Sequence, residues 1–294
     1  MLERVTFAAD GAEQVTPTYT VGVDGSGPGT AALKWTLRRA EHYAAKVQMV
    51  HVVDADSPAK STDDPDQDTE EMGNRILSDA RRLAEKSFPD VDVATLLIVG
   101  HVAEDLVRLA MHSDLLVIGT HKTGYLRGRA IGSRSIRIAS LAHCSVAIVP
   151  DVSLISRRGV AVGIDIRTGS PVALRSGANE AHRLKQCLVL LATDRPNQTE
   201  SRAGASSRPA LRSVALSGAV SAATAIAPDL EVHSRFSMRV TAEALLDASR
   251  DACLLVIGAA PTHGLMPSIV GPVTHDVLMN INAPVLIARA TEVL

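Results

Sequence analysis

The chain carries one pattern twice, and that repetition restricts its possible folds more than any other feature. Leu115-Leu-Val-Ile-Gly119 recurs as Leu254-Leu-Val-Ile-Gly258, a displacement of 258 − 119 = 139 residues. At the same displacement Gly132 meets Gly271, Val102-Ala-Glu-Asp-Leu106 meets Thr241-Ala-Glu-Ala-Leu245, and Val146-Ala-Ile-Val149 meets Val285-Leu-Ile-Ala288. The early segments match at 165 − 24 = 141, where Val21-Gly-Val-Asp24 meets Val162-Gly-Ile-Asp165. One register held across a whole half, at a domain-sized period, is a duplicated domain and not a solenoid. A chain of 294 residues has room for two ordinary domains.

Each half alternates apolar runs with helical patterns. In the first, residues 19–24, 47–53, 91–99, 115–119 and 145–149 read as strands, and residues 30–45, 70–86, 102–112 and a segment after Gly132 read as helices. Five strands alternating with four helices predict a parallel sheet covered on both faces. The expectation is therefore α/β: two tandem doubly wound, five-stranded parallel-sheet domains. Residues 1–17 form an N-terminal extension, 18–152 the first domain and 153–294 the second. The last strand of each half, residues 145–149 and 285–288, is an apolar edge candidate that should pair with another strand, either within the chain or in a second copy. In such sheets ligands bind beyond the carboxyl ends of the strands, where the strand order switches, and Asp24, Val52 and Gly119 all lie at such ends.

The segment from Gly119 to Ser133 is the strongest candidate site. A strand ends at a glycine, a glycine-containing loop follows, and Gly132-Ser133 opens a helix. Glycine lets the backbone approach a phosphate, and the free N–H groups of a helix start point towards it. Lys122, Arg127, Arg129, Arg134 and Arg137 fall here, with no acid between Gly119 and Arg137. The bland alternative is a surface loop followed by an ordinary helix cap. Gly25-Ser-Gly-Pro-Gly29 lacks the spacing of a dinucleotide or Walker loop and reads as the turn into the first helix, with Ser26 as its cap.

Composition removes other classes. The net charge is −2 and aromatic residues are 2% of the chain, so neither an electrostatic footprint for nucleic acid nor a stacking platform is expected. Residues 54–71 carry eight acids against the single base Lys60 and read as a solvated loop. Cys144, Cys187 and Cys253 sit in apolar runs, which predicts buried thiols in a reducing compartment and no zinc site. The ten histidines show no metal-ligand spacing. No apolar stretch is long enough to span a membrane and residues 1–20 have no signal-peptide core, so a cytoplasmic location is expected.

Together these features resemble the tandem two-domain form of the universal stress protein family. That family's loop reads Gly, two residues, Gly, nine residues, Gly, then Ser or Thr. Gly119, Gly132 and Ser133 match it, with Lys122 at the second glycine. Val23-Asp24-Gly25-Ser26 and His51-Val52-Val53-Asp54 also resemble family signatures. The resemblance implies a Rossmann-like fold and a stress-response or regulatory role. It implies ATP or another adenine nucleotide as ligand, alone or with Mg2+, and association as a homodimer or an intramolecular pseudo-dimer. Carried over residue by residue, Asp24 and Val52 contact the base side, while Gly119, Gly132, Ser133 and Ser135 hold ribose and phosphates.

The second half departs from this pattern. Pro261 stands at its second glycine, Pro272 replaces the serine, Ala192 stands at the place of Val52, and no Lys or Arg occurs between Gly258 and Asn280. Proline removes a backbone donor. The phosphate site is thus expected in the first half alone. Three readings remain open at this stage: a nucleotide-binding regulatory module, a slow ATP hydrolase, and a scaffold that binds a protein partner and no nucleotide. His121 is the only general-base candidate in the loop, and a lone loop histidine is more often solvated than catalytic, so at most weak turnover is expected.

Lys122 gives the three readings a first test. If its ammonium contacts phosphate, Lys122→Gly binds ATP more weakly and with a shallower salt dependence. Tighter binding by that variant in a titration at two salt concentrations would show that the lysine obstructs.

Overall fold

The repeated apolar segments become the strands of a single sheet. The computed structural model describes residues 16–55, 65–120, 133–193, 208–259 and 270–290. The first half runs β1 (Thr18–Gly22), α1 (Gly27–Tyr43), β2 (Lys46–Asp54), α2 (Pro65–Ser87), β3 (Val93–Gly100), α3 (Val102–Leu109) with a 3-10 turn at Ala110–His112, β4 (Leu115–Thr120), α4 (Ser133–Leu141) and β5 (Ser145–Pro150). The second runs β6 (Val160–Ile164), α5 (Pro171–Leu184), β7 (Leu188–Thr193), α6 (Arg208–Ile226), β8 (Val232–Ser237), α7 (Thr241–Ser249), β9 (Leu254–Gly258), α8 (Pro272–Met279) and β10 (Val285–Ala288).

The strand order is β3-β2-β1-β4-β5-β10-β9-β6-β7-β8. Within each half the pairing is parallel and the order 3-2-1-4-5 repeats. The halves meet where β5 pairs antiparallel with β10, in the register Val285↔Ile148, Leu286↔Ala147 and Ile287↔Val146. The two apolar edge candidates therefore satisfy each other within the chain. Helices cover both faces, and each apolar layer runs across both halves. One layer lies beneath α1, α2, α5 and α6, the other beneath α3, α4, α7 and α8.

A cluster of long side chains flanks this seam. Arg39 on α1 forms a buried ion pair with Glu180 on α5, their side chains being 15% and 4% exposed. The Tyr43 hydroxyl donates to Glu180 Oε1. Arg39 Nε and Nη1 have no well-aligned hydrogen-bond acceptor among the described residues. Its guanidinium carbon instead lies 4.5 Å from the Tyr43 ring centroid, 5.5 Å from Tyr19 and 5.6 Å from Trp35. Facing aromatic rings partly replace water for the buried cation. Burial opposes Arg39's charge, but Glu180 and the two tyrosines outweigh it and hold its pKa above the ordinary arginine value. Burial, followed by Glu180, keeps the Tyr43 hydroxyl protonated.

Two expectations need correction. The acidic run over residues 54–71 is not one loop: Asp54 ends β2, and α2 already starts at Pro65. Proline suits a first helical position, and acids in a first turn complement the helix dipole, so a composition that reads as loop also suits a helix start. The thiols are free but only half-buried. Burial nonetheless pushes Cys144 and Cys253 up to about 11. Among the described residues, no helix is long and apolar enough to cross a membrane.

The duplication extends to backbone detail. α1 ends at Ala44 with φ 49°, and α5 ends at Lys185 with φ 53°. These are the same position, since 185 − 44 = 141. Both are in the left-handed region that favours glycine at a helix end. Ala44→Gly and Lys185→Gly should therefore each raise unfolding stability by about 0.5–1 kcal/mol. The gains should be nearly additive at these distant sites, and urea denaturation of the two single variants and the double variant checks this.

Candidate functional site

β1 and β4 are adjacent in the first half, but their connections leave in opposite directions, to β2 and to β5. The crevice above their carboxyl ends is the switch point of this sheet. β1 stops at Gly22, so Asp24 stands two residues beyond it. α1 then starts with Ser26 as its cap, as expected. Ser26 Oγ accepts from Gly29 N at 3.1 Å. Asp24 Oδ1 accepts from Ser26 N at 3.0 Å and from Ser26 Oγ at 2.6 Å, fixing an exposed carboxylate at the crevice mouth and at the favourable end of the α1 dipole.

β2 continues past β1. The β1–β2 register ends at Gly22↔Val50, followed by a bond from Val23 N to the Val50 carbonyl at 2.9 Å. Side-chain and backbone directions repeat every second residue in a strand. The Val52 carbonyl therefore points the same way as that of Val50, but beyond the end of β1 and into the crevice. His51 Nδ1 donates to the Val23 carbonyl at 2.7 Å and ties the two strand ends together.

Gly119, next to last in β4, closes the other wall. A Cβ there would overlap the carbonyl group of Pro28 and stand 2.7 Å from Gly29 N. The backbone of the first turn of α1 thus lies directly on this glycine. Among the described residues, Gly258 in the second half has only Ala173 Cβ near the same point, at 3.8 Å.

α4 starts at Ser133, beyond the carboxyl end of β4 and on the face opposite α1, and Ser135 in its first turn is buried. Lys122 and Gly132, along with Arg127 and Arg129, lie outside the described residues. Along the chain, the cations of this segment have no acid near them. The structure corrects that for two of them. Arg134 Nη2 donates to Asp54 Oδ2 at 2.7 Å, and Arg137 pairs with Glu104 of α3. Both acids come from other elements, so a count along the chain misses them. The signal available in the sequence was that Asp54, like Asp24, closes a strand at its carboxyl end.

The corresponding region of the second half is built differently. The register Gly163↔Leu191 matches Gly22↔Val50, so Thr193, and not Ala192, is the counterpart of Val52. Its hydroxyl is 2.6 Å from that of Thr241. Ser170 Oγ accepts from Asp165 N at 3.0 Å and makes no cap bond to α5. α8 starts at Pro272 behind Gly271, without a side-chain cap. Among the described residues, no group of His, Cys, Asp and Glu is arranged to hold a metal ion.

The model of the universal stress protein family matches residues 18–150 and again 157–289. The chain belongs to that family. It is similar to universal stress protein Rv2623 of Mycobacterium tuberculosis strain H37Rv, 26% identical over 286 residues, covering 92% of this chain and 95% of the relative. Universal stress protein Rv2005c of the same organism is 27% identical over 287 residues, covering 92% and 96%. Among solved structures, a universal stress protein from Archaeoglobus fulgidus DSM 4304 superposes with a TM-score of 0.69 at 15% identity, covering 92% of this chain and 98% of that one. The duplicated fold is thus the family's, and this chain's own residues distinguish its two crevices.

The two glycines offer a direct measure of that difference. Gly119→Ala should destabilise the protein by about 1–3 kcal/mol, because the α1 backbone must move to admit a methyl group. Gly258→Ala should stay within about 0.5 kcal/mol. Equal effects in chemical denaturation would contradict the packing described here.

Proposed function

We propose that this universal stress protein binds one adenine nucleotide, with ATP as the expected ligand, in the switch-point crevice of its first half, and acts as a nucleotide-responsive regulatory module. The observation that carries this reading is the convergence of three unlike groups on one crevice. These are a carboxylate fixed at the end of β1, a carbonyl of β2 aimed past that end, and the first turn of α4. Asp24 and the Val52 carbonyl can accept hydrogen bonds from the amine and hydroxyl groups of a nucleoside. A helix start suits phosphate, and the Ser135 hydroxyl supplies a further donor in that turn. Gly119, Lys122, Gly132 and Ser133 complete the loop side by the family resemblance. Where Mg2+ accompanies the nucleotide, phosphate oxygens supply much of its coordination.

The same comparison supports a single site per chain. In the second half, Pro272 removes a donor from the helix start, and no Lys or Arg occurs between Gly258 and Asn280 to meet a phosphate.

Calorimetric titration with ATP should give one site per chain. Gly132→Val should weaken binding by at least tenfold while leaving the thermal midpoint within about 2 °C. Two equivalent sites, or unchanged affinity in a folded Gly132→Val variant, would overturn the assignment. No binding by the parent chain would leave the scaffold reading, and steady release of ADP would establish a hydrolase.

A further inference from the structure

The ion pair at the seam joins one repeat position to itself. Arg39 and Glu180 differ by 180 − 39 = 141, the displacement that also relates the left-handed helix ends Ala44 and Lys185. The flanking residues agree, since Ala32-Leu33-Lys34 meets Ala173-Leu174-Arg175 at this displacement. Strands β5 and β10 are likewise equivalent, and they pair antiparallel. The contact therefore lies at the pseudo-two-fold axis relating the halves, where equivalent positions face each other.

Here the two copies have opposite chemistry. The first half supplies the cation and its aromatic surround, with Tyr19, Trp35 and Tyr43 all within 5.6 Å of the Arg39 guanidinium carbon. The second supplies the acid. It also supplies Arg183, which lies 4.3 Å from the Tyr43 ring centroid and donates to the His42 carbonyl at 2.9 Å. At the same displacement the counterparts of Trp35 and Tyr43 are Ser176 and Leu184. The surfaces are complementary to each other and neither is complementary to itself.

We propose that Arg39 and Glu180 select the partner at this seam: the surface of a first half accepts a second half and rejects another first half. Two first halves joined in the same way would bury Arg39 against Arg39 and crowd two aromatic sets together. Two second halves would bury Glu180 against Glu180. Buried like charges with no counter-ion disfavour a pairing strongly, which is how a charge at a symmetric contact enforces specificity. The chain consequently closes on itself. Two chains can join through this seam only by exchanging halves reciprocally.

The full-length chain tests this through co-expression. Arg39→Glu sets acid against acid inside one chain, and Glu180→Arg sets base against base. Each variant alone should lose at least about 10 °C in thermal midpoint or fail to accumulate as soluble protein. Co-expressed under separate tags, the two should co-purify as a 1:1 heterodimer of about 62 kDa, twice the chain mass of 31.0 kDa. In that heterodimer, one seam sets the acid introduced by Arg39→Glu against the base introduced by Glu180→Arg, and the reciprocal seam keeps the native pair. Native mass spectrometry after sequential affinity steps reads the result. The proposal fails if either variant remains a folded monomer with a midpoint near that of the parent. It also fails if the destabilised variants show no heterodimer on co-expression, since the pair would then stabilise the seam without selecting a partner.

Discussion

The antiparallel pairing of β5 with β10 is the constraint on which the rest of the molecule depends. Val146, Ala147 and Ile148 face Ile287, Leu286 and Val285, and all six are at most 2% exposed. In a separate half, each of these strands would be an apolar edge with unpaired backbone groups, costly in water and prone to uncontrolled association. Joining them converts two five-stranded sheets into one of ten strands. It also lets each apolar layer continue from one half into the other. The outermost strands become β3 and β8.

The direction of this pairing decides where the crevices lie. Within each half all strands run parallel, and the halves meet antiparallel, so the carboxyl ends of the two sets lie along opposite margins of the ten-stranded sheet. The carboxyl strand ends along one margin belong to one half only. The second half therefore lends no carboxyl strand end to the first crevice. Its changes at Pro272 and Thr193 are felt locally, and divergence there leaves the seam undisturbed. Conversely, the seam residues Arg39 and Glu180 lie on α1 and α5, whose cap residues Ser26 and Ser170 bond near Asp24 and Asp165, so the same two helices serve both the seam and the crevices.

Much of this was legible in the sequence, for a physical reason. Strand and helix patterning, the repeat displacement and the Ser26 cap are local or periodic properties, and a linear reading captures such properties well. Charge partners are different. Arg134 meets Asp54 from 80 residues away, and Arg39 meets Glu180 from 141. Local counting instead made residues 119–137 look unopposed and residues 54–71 look like a loop. Thr193 was missed because a displacement of 140 differs from 141 by one residue, and a one-residue slip in a strand reverses every side chain. The Arg39–Glu180 contact had a sequence signal in the same displacement, but nothing in either helix alone marks a surface arginine as buried.

The Asp54–Arg134 pair bears on whether the first crevice can take a phosphate at all. By sign alone, an acid beside the start of α4 opposes an anion there. Magnitude decides otherwise. The Arg134 side chain is 71% exposed and that of Asp54 is 26% exposed. A pair so open to solvent is worth about 0–1 kcal/mol. A phosphate at a helix start offers a cation a charge-assisted hydrogen bond worth about 1.5–3 kcal/mol, along with the helix N–H groups. Arg134 can therefore leave Asp54 for a phosphate at little cost. The Asp54 carboxylate is thus no bar to the phosphate of the proposed function, because the pair it would forfeit contributes so little.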